Sequence, residues 1–225
     1  IPDGKRKTAR IQKKASGWYL QLTIDSKHIF PIKKIKNQIG MDTGFNHLAA
    51  LSNGIKIDNH RYFDRGQERL AQAQRGKNKK LIARLHERIS NRRKDRNHKV
   101  SREIVENYSE IYITKDNLRG QAKKFGKSIG DAGISQLRNF INYKSENHGR
   151  KCVLVGSKNS TMTCSACLLQ GVRSLTGPKG LGELEVRVWE CYACGAVHDR
   201  DVNSAMVTLV LGSGMDLVPD VMLGL

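Results

Sequence analysis

The sequence predicts a mixed α/β fold with a metal-binding ribbon inserted near its end and a β segment at its start. Short apolar runs typical of strands alternate with helical stretches between residues 39 and 155. Two Cys-x-x-Cys pairs follow, and an aspartate-rich helix start comes directly after them. With 225 residues, the chain can bury a core as one large domain, or as one domain with a small satellite.

The first predicted element is β structure across residues 8–30. Apolar residues alternate with polar ones from Trp18 to Asp25, which is the period of a half-buried strand. Ser16-Gly17 supplies a turn before this run. A β-rich segment is therefore expected ahead of the main domain.

A group of short strands comes next. The run Ile39-Gly40-Met41-Asp42 is predicted to be a buried strand, followed by a second strand from His47 to Leu51. Ser52-Asn53-Gly54 then leads into Ile55-Lys56-Ile57, and Asn-Gly between apolar runs is a strong hairpin signal. This layout places Asp42 at the end of the first strand.

The stretch from Gln67 to about Asn107 is predicted to be helical and is strongly basic. Leu81, Leu85 and Ile89 form one apolar stripe, and Gly76-Lys77-Asn78 separates a shorter helix from a longer one. The pattern fits a solvated helix pair or a helix that offers its basic face to nucleic acid, and the charge density favours the second. The candidate nucleic-acid-binding residues are Arg84, Arg88, Arg92, Arg93 and Lys94.

The remaining elements again alternate between strand and helix. Gly149 is expected to stop the middle helix, whose apolar residues are Ile134, Leu137 and Ile141. The predicted elements are a strand at 111–114, a helix at 131–148, a strand at 153–155, a strand at 184–188 within the cysteine module, and a helix at about 202–211.

The overall charge favours a polyanionic partner. Lys and Arg total 40 against 21 acidic residues, for a formal charge of +19 and a pI near 10.0. Such a field attracts nucleic acid through phosphate neutralisation. A membrane-surface partner is disfavoured, because the sequence has no long apolar run and no basic amphipathic helix with an aromatic face. No signal peptide pattern is expected at the start. The cysteine usage fits a reducing compartment.

Four cysteines have the spacing of a structural zinc site. Cys164 with Cys167, and Cys191 with Cys194, form two knuckles whose thiolates can face one ion in a zinc ribbon. A redox dithiol is the competing interpretation, but it needs only one pair. Four thiolates leave no open position for water, so a structural role is expected. Cys152 is predicted to be a buried small apolar residue.

Three aspartates have positions suited to a hard-metal catalytic site. Asp42 and Asp116 end strands, and Asp201 opens a helix. Two-metal phosphodiester hydrolysis needs carboxylates from separate elements around ions about 3.5–4 Å apart. The pattern is that of an RNase H-like fold. Singly, Asp42 and Asp116 could be turn formers, and Asp199 and Asp201 could be helix caps.

The chain resembles the transposon-encoded TnpB proteins, which are RNA-guided DNA nucleases of the OrfB family related to compact type V CRISPR effectors. The resemblance covers about residues 8 to 212. It rests on five motifs in order: Ile39-Gly40-Met41-Asp42-Thr43-Gly44, Asp116-Asn117-Leu118, Cys164-Ser165-Ala166-Cys167, Cys191-Tyr192-Ala193-Cys194-Gly195 and Asp199-Arg200-Asp201-Val202-Asn203-Ser204-Ala205.

The resemblance implies a domain layout and a set of partners. Residues 1–38 would end a β-rich wedge domain, 39–157 and 197–225 would form a RuvC nuclease domain, and 158–196 would be its zinc ribbon. The partners would be a guide RNA and a double-stranded DNA target, with a recognition lobe further upstream in the parent chain. It also implies a prokaryotic cytoplasmic protein at the nucleoid. The cofactors would be one zinc ion and two magnesium (or manganese) ions, with Asp199 assisting Asp42, Asp116 and Asp201.

One departure from the family bears on activity. The second acidic position is usually glutamate, whereas this chain has Asp116, and another register would place Lys115 or Thr114 there. A carboxylate one methylene shorter sits differently in a site sensitive to displacements near 1 Å. The leading hypothesis is a metal-dependent DNA endonuclease. Its rivals are a nuclease-inactive, guide-dependent DNA-binding protein and a zinc-ribbon nucleic-acid binder without a guide.

Overall fold

A computed structural model describes residues 4–25, 35–118, 130–156, 158–179 and 183–214, with residues 120, 123 and 126 between them. It begins with a separate antiparallel hairpin of β1 (Lys5–Lys14) and β2 (Gly17–Asp25). The predicted β structure is confirmed over residues 8–25, and residues 26–30 lie outside the described part. The hairpin exposes large apolar side chains, including Ile11, Trp18 and Leu20.

A mixed five-stranded sheet forms the centre of the molecule. Its order is β5-β4-β3-β6-β7, with β3 antiparallel to β4 and parallel to β6. This arrangement is the RNase H-like sheet that the sequence predicted. The strands are β3 (Gln38–Thr43), β4 (His47–Leu51), β5 (Lys56–Asp58), β6 (Glu110–Lys115) and β7 (Lys151–Gly156).

The parallel register brings two strand ends together. Met41 of β3 lies opposite Ile113 of β6, so Asp42 and Thr114, each one residue before the end of its strand, lie at the same edge of the sheet. Both strands are buried almost throughout, because each is packed on both faces. The sequence predicted these strands from their continuous apolar runs.

Helices cover both faces of this sheet. Residues with odd numbers in β3 and β6, such as Ile39 and Ile111, join a core with α2 and α3, whereas Gly40 and Tyr112 face the last helix. No helix in the described residues is long and apolar enough to cross a membrane. The helices are α1 (Tyr62–Arg75), α2 (Lys79–Asn107), α3 (Ile134–Asn147), α4 (Ser165–Leu169) and α5 (Arg200–Ser213).

The basic segment forms a helical hairpin. Its helices α1 and α2 are separated where predicted, and Asn78 caps α2 by accepting a hydrogen bond from the Leu81 N–H at 3.0 Å. The predicted stripe packs on α1, with Leu85 buried against Leu70, rather than on the sheet. The later part of α2 reaches the main core.

The cysteine module differs from the prediction in one strand. The strand predicted at 184–188 is wrong: β8 (Val188–Glu190) pairs with β9 (Val197–Asp199), and Leu184 and Val186 are exposed. The turn of the second Cys pair sets this pairing, because the Cys191 N–H donates to the Ala196 carbonyl at 2.9 Å. Apolar alternation alone does not specify which residues find a partner strand.

Candidate active site and metal centre

Three aspartates line one cavity at the edge where β3 and β6 end. Asp42 is the penultimate residue of β3, Asp116 directly follows β6, and Asp201 is the second residue of α5. All three contribute to a cavity of about 590 Å³. The structure therefore brings together the three carboxylates that the sequence singled out.

A glycine allows α5 to approach the sheet closely. A Cβ atom on Gly40 would lie 2.0 Å from the Ala205 carbonyl oxygen, so any larger residue would push the helix away. Because Asp201 lies one turn before Ala205, this close approach places its carboxylate near Asp42. The Gly-x-Asp spacing in β3 thus serves both the packing and the cavity.

The carboxylates repel one another. Burial raises the pKa of Asp42 to about 7, and the charges of Asp116 and Asp201 add to the effect. Hydrogen bonds with Thr114 and Ser204 oppose it. A divalent cation would reverse this balance, because it favours the charged form of each carboxylate. The donor set, hard oxygens from three elements, fits magnesium or manganese.

Asp116 is held by an arginine that the sequence analysis did not identify. Arg138 Nη2 lies 2.8 Å from Asp116 Oδ2 and 2.7 Å from Thr43 Oγ1. Arg138 is four residues after Ile134 and one after Leu137, which are both buried. A charged residue on the inward face of α3 could therefore have been recognised from the sequence as a candidate site residue.

Asp201 has two weaker neighbours. His47 Nδ1 lies 3.7 Å from one carboxylate oxygen, and Arg187 Nη1 lies 3.7 Å from the other. His47 begins β4, and Arg187 immediately precedes β8. Their contacts depend on how β4 and the cysteine module meet α5, which local sequence does not reveal.

Asp199 contacts the start of α5 and Lys56. Its Oδ1 accepts hydrogen bonds from the N–H groups of Asp201 and Val202 at 3.2 and 3.1 Å, and Lys56 Nζ lies 2.5 Å from Oδ2. Burial opposes the charged form, but Lys56 and these N–H groups hold the pKa of Asp199 below its usual value. Asp199 does not line the cavity. The geometry supports the helix cap, the alternative role for this residue.

The four predicted cysteine ligands form one cluster. All their Sγ atoms lie within 4.8 Å of one another, with Cys164 to Cys194 at 3.7 Å and Cys167 to Cys191 at 3.8 Å. Tetrahedral zinc with Zn–S bonds of about 2.3 Å requires sulfur separations of about 3.8 Å. The cluster therefore fits the ion. His198 Nε2 also lies 3.1 Å from Cys164 Sγ.

One buried asparagine joins the cysteine module to α5. The Asn203 amide accepts from the Ser165 N–H at 2.9 Å and donates to the Thr163 carbonyl at 2.8 Å. Asn203 is only 2% exposed and lies two residues after Asp201. The first knuckle and the carboxylate-bearing helix start are thus fixed to each other.

The predicted basic residues of α2 are not equivalent. Arg84, Arg88, Arg92 and Lys94 are exposed, as expected for residues that contact a partner. Arg93 is half-buried and donates to the Gly130 carbonyl at 2.6 Å, so it joins α2 to the segment before α3. Arg84 Nε also approaches the Ala15 carbonyl at 3.4 Å, at the turn of the first hairpin.

Comparison with known proteins identifies the family. A family model described as "Probable transposase" (OrfB, IS605) matches residues 21–124, and one described as "Cas12f1-like, TNB domain" matches 135–208. A "Putative RNA-guided DNA endonuclease" of Streptomyces pristinaespiralis is 32% identical over 94% of this chain and 54% of its own length. The chain is a TnpB-like protein.

Two further comparisons agree with this assignment. The TnpB-like protein L79 of Acanthamoeba polyphaga mimivirus is 27% identical over 81% of this chain and 39% of its own. A solved Cas12f1-sgRNA-target DNA complex has the same fold, with a TM-score of 0.56 and 18% identity over 88% of this chain and 55% of that one. The TnpB-like chain spans about half the length of the curated relatives it matches.

Proposed function

We propose that this TnpB-like chain is the nuclease portion of an RNA-guided DNA endonuclease. The observation that carries the proposal is the convergence of Asp42, Asp116 and Asp201 on one cavity at the edge of an RNase H-like sheet. The names of its relatives and the charge of +19 support a nucleic-acid substrate. We assign residues 39–157 and 197–225 to the RuvC-like domain, 158–196 to the zinc ribbon and 1–38 to a wedge domain. Within these ranges, 1–3, 26–34, 157, 180–182, 215–225 and all of 119–129 except 120, 123 and 126 lie outside the described residues.

The proposed reaction is two-metal phosphodiester hydrolysis. Magnesium ions bound in the cavity would supply an activated water and stabilise charge on the leaving oxygen. Asp42, Asp116 and Asp201 would hold the ions, and the strand ends and the start of α5 fix where these carboxylates lie. Arg138 orients Asp116 through a charge-assisted hydrogen bond and ties it to Thr43.

The proposed partners are a guide RNA and a DNA target. The solved Cas12f1 structure with this fold contains a single guide RNA and target DNA. Exposed Arg84, Arg88, Arg92 and Lys94 give α2 the basic surface that such a partner requires. Base pairing with the guide would select the target, and the protein would contact mainly phosphates.

We assign a structural role to zinc. Its four sulfur ligands would leave no position for water, and Cys164, Cys167 and Cys191 are buried. Through Asn203 the ribbon fixes the start of α5, and therefore the position of Asp201.

A second candidate function is a guide-dependent DNA-binding protein without nuclease activity. It is favoured by one observation: Asp116 is shorter than the glutamate usual in this family, and its Oδ2 already pairs with Arg138 at 2.8 Å. A carboxylate that is both shorter and paired reaches less far toward a cation. Such a protein would act by occupying its target, as a repressor or recruiter.

One cleavage experiment separates the two. The RNA that co-purifies with the protein is sequenced, and a matched target is placed in plasmids whose flanking positions are randomised. Wild type, Asp116→Glu and Asp42→Ala are then incubated with magnesium. Cleavage by wild type, lost in Asp42→Ala with binding retained, supports the nuclease. Binding without cleavage, with activity gained in Asp116→Glu, supports the silent binder. If Asp42→Ala cleaved the target at the rate of the wild type, the catalytic assignment would be overturned.

A further inference from the structure

A groove between α1 and α2 concentrates positive charge. It has a volume of about 270 Å³ and lies outside the carboxylate cavity. Two arginines from each helix form its walls: Arg65 and Arg69 from α1, and Arg88 and Arg92 from α2. The two residues of each pair are four apart, so both guanidinium groups of a helix project from the same face.

Close packing of the two helices places the arginine pairs opposite each other. A Cβ atom on Gly66 would lie 3.0 Å from Ile89 Cδ1, so the glycine lets α1 approach α2 at this level. Leu85 and Ile89 lie at the apolar base of the groove. The result is a narrow channel with charged walls rather than a flat basic surface.

The four guanidinium groups have no partners within the described part of the chain. None of them makes an ion pair or side-chain hydrogen bond there, although Glu87 lies between the two pairs in sequence. Glu87 instead accepts hydrogen bonds from the N–H and hydroxyl of Ser16 at 2.8 and 2.6 Å. Arginine stays charged at all physiological pH values, so the groups repel one another until an anion binds.

The groove adjoins the candidate active site at the start of α1. At the start of α1, Arg61 and Asp64 line the carboxylate cavity, whereas Tyr62 and Arg65 line the groove. A chain of phosphates lying along the four arginines would therefore end beside the turn of α1 that also lines the cavity.

We propose that this arginine groove binds the backbone of the single DNA strand that enters the active site for cleavage. The proposal rests on the proposed nuclease function and extends it to the path of the substrate. A strand to be cut must pass Asp42 and Asp201, and the groove adjoins their cavity at the first turn of α1. A channel between two directly packed helices, whose axes lie about 8–10 Å apart, accommodates one backbone more readily than a duplex.

The test measures strand binding without cleavage. A fluorescein-labelled single-stranded DNA is titrated in EDTA against wild type and against Arg65→Gln/Arg69→Gln/Arg88→Gln/Arg92→Gln. Each lost phosphate contact lowers the salt dependence of single-strand binding by about 0.7, so the slope should fall by roughly 3. At about 0.15 M salt, the affinity should fall by about 30-fold or more. Circular dichroism checks that both proteins are folded.

A matched control removes equal charge from the same helices. Arg75→Gln/Lys79→Gln/Lys80→Gln/Arg102→Gln changes four exposed residues outside the groove. Its affinity and slope should stay close to wild type. An equal loss in this control would overturn the proposal, because general charge would then explain the binding. An unchanged slope in the groove variant would overturn it as well.

Two further arms identify the strand and separate the proposals. Labelled single-stranded RNA is titrated in parallel, and loss of RNA binding with DNA binding unchanged would assign the groove to RNA and overturn the inference. If cleavage assays show no nuclease while the groove variant still loses DNA binding, the nuclease proposal fails and the strand-binding groove stands.

Discussion

Arg138 joins the ends of two neighbouring strands by donating from one nitrogen to both Asp116 and Thr43. The distances are 2.8 Å and 2.7 Å, and the Arg138 side chain is only 11% exposed. Asp116 follows β6 and Thr43 ends β3, so the guanidinium group fixes the spacing of the strand ends on which Asp42 and Asp116 lie. It also places one positive charge beside the Asp116 carboxylate.

Replacing this arginine should destabilise the cation-free protein and reduce cleavage. Arg138→Gln leaves the largely buried Asp116 carboxylate without its partner, which we expect to cost about 3–5 kcal/mol of unfolding free energy at pH 8 in EDTA. Magnesium should recover more stability in the variant than in wild type, because the cation takes over the neutralisation. Urea denaturation with and without magnesium measures both effects.

Arg138→Lys tests whether Arg138 acts by positioning Asp116 or only by supplying a positive charge. Lysine keeps the charge but lacks the planar fork, so it should restore most of the stability without restoring the cleavage rate. Full recovery of cleavage in the lysine variant would mean that charge alone matters. Arg138→Gln cutting at the wild-type rate would show that the arginine does not position Asp116.

Stability in EDTA should depend on pH through Asp42. Its pKa is raised to about 7 in the folded protein, against about 3.9 in an unfolded chain. The protonated form is thus favoured by folding, and this stabilisation is complete below about pH 4 and disappears as pH rises through about 7. Asp42→Asn removes the charge, so the variant should exceed wild type in stability by roughly 2–4 kcal/mol at pH 8, and by far less at pH 5.

The measurement is urea denaturation of wild type and Asp42→Asn across this pH range in EDTA. Parallel stability curves for the two proteins would contradict the assigned titration. Magnesium at pH 8 should raise the stability of wild type and have little effect on the variant.

Much of the sheet and the carboxylate cluster could be predicted because local signals determine them. The runs at 39–42 and 111–114 are apolar enough to be buried on both faces, and parallel strands end at one edge. Asp42 and Asp116 meet because these two strands are also parallel neighbours, an order that the structure adds. Gly40 adds the packing of α5, which places Asp201 nearby.

The missed features depend on contacts between distant segments. Arg187 reaches Asp201 only because the cysteine module folds against α5, and Arg138 needs both strand ends in place. The strand predicted at 184–188 was wrong because the second knuckle sets the pairing of β8 with β9. The alternation of apolar and polar residues in β2 correctly predicted a strand. It also implied that one face of the strand is buried, whereas Trp18 on β2 is 69% exposed.

Loss of zinc should disturb the start of α5 as well as the ribbon. Cys191→Ser removes one of the two Cys191-x-x-Cys194 ligands, and the buried Cys191 cannot be replaced by a weakly binding hydroxyl. We expect about one zinc per chain in wild type, greatly reduced zinc in the variant, and a lower melting temperature. Metal analysis and thermal denaturation test this.

Asn203→Ala tests the contact between the zinc ribbon and α5 separately from zinc binding. The substitution removes the hydrogen bonds to Ser165 and Thr163 but no zinc ligand. Leaving two buried backbone groups unpaired should cost about 2–4 kcal/mol, with zinc content near wild type and slower cleavage. Normal stability and cleavage in this variant would show that the ribbon does not position Asp201.

Two aspartates separated by one residue should respond differently to substitution. Asp199 caps α5 and pairs with Lys56, whereas Asp201 faces the cavity with Asp42. Asp199→Ala should lower the unfolding free energy by about 1–2 kcal/mol, the usual cost of losing a helix cap, and leave cleavage measurable at temperatures where the protein is folded. Asp201→Asn should abolish cleavage without lowering stability in EDTA, because it removes repulsion from Asp42.

Single-turnover cleavage and urea denaturation of both variants test the assignment. Loss of cleavage in a fully folded Asp199→Ala protein would instead make Asp199 part of the cation site.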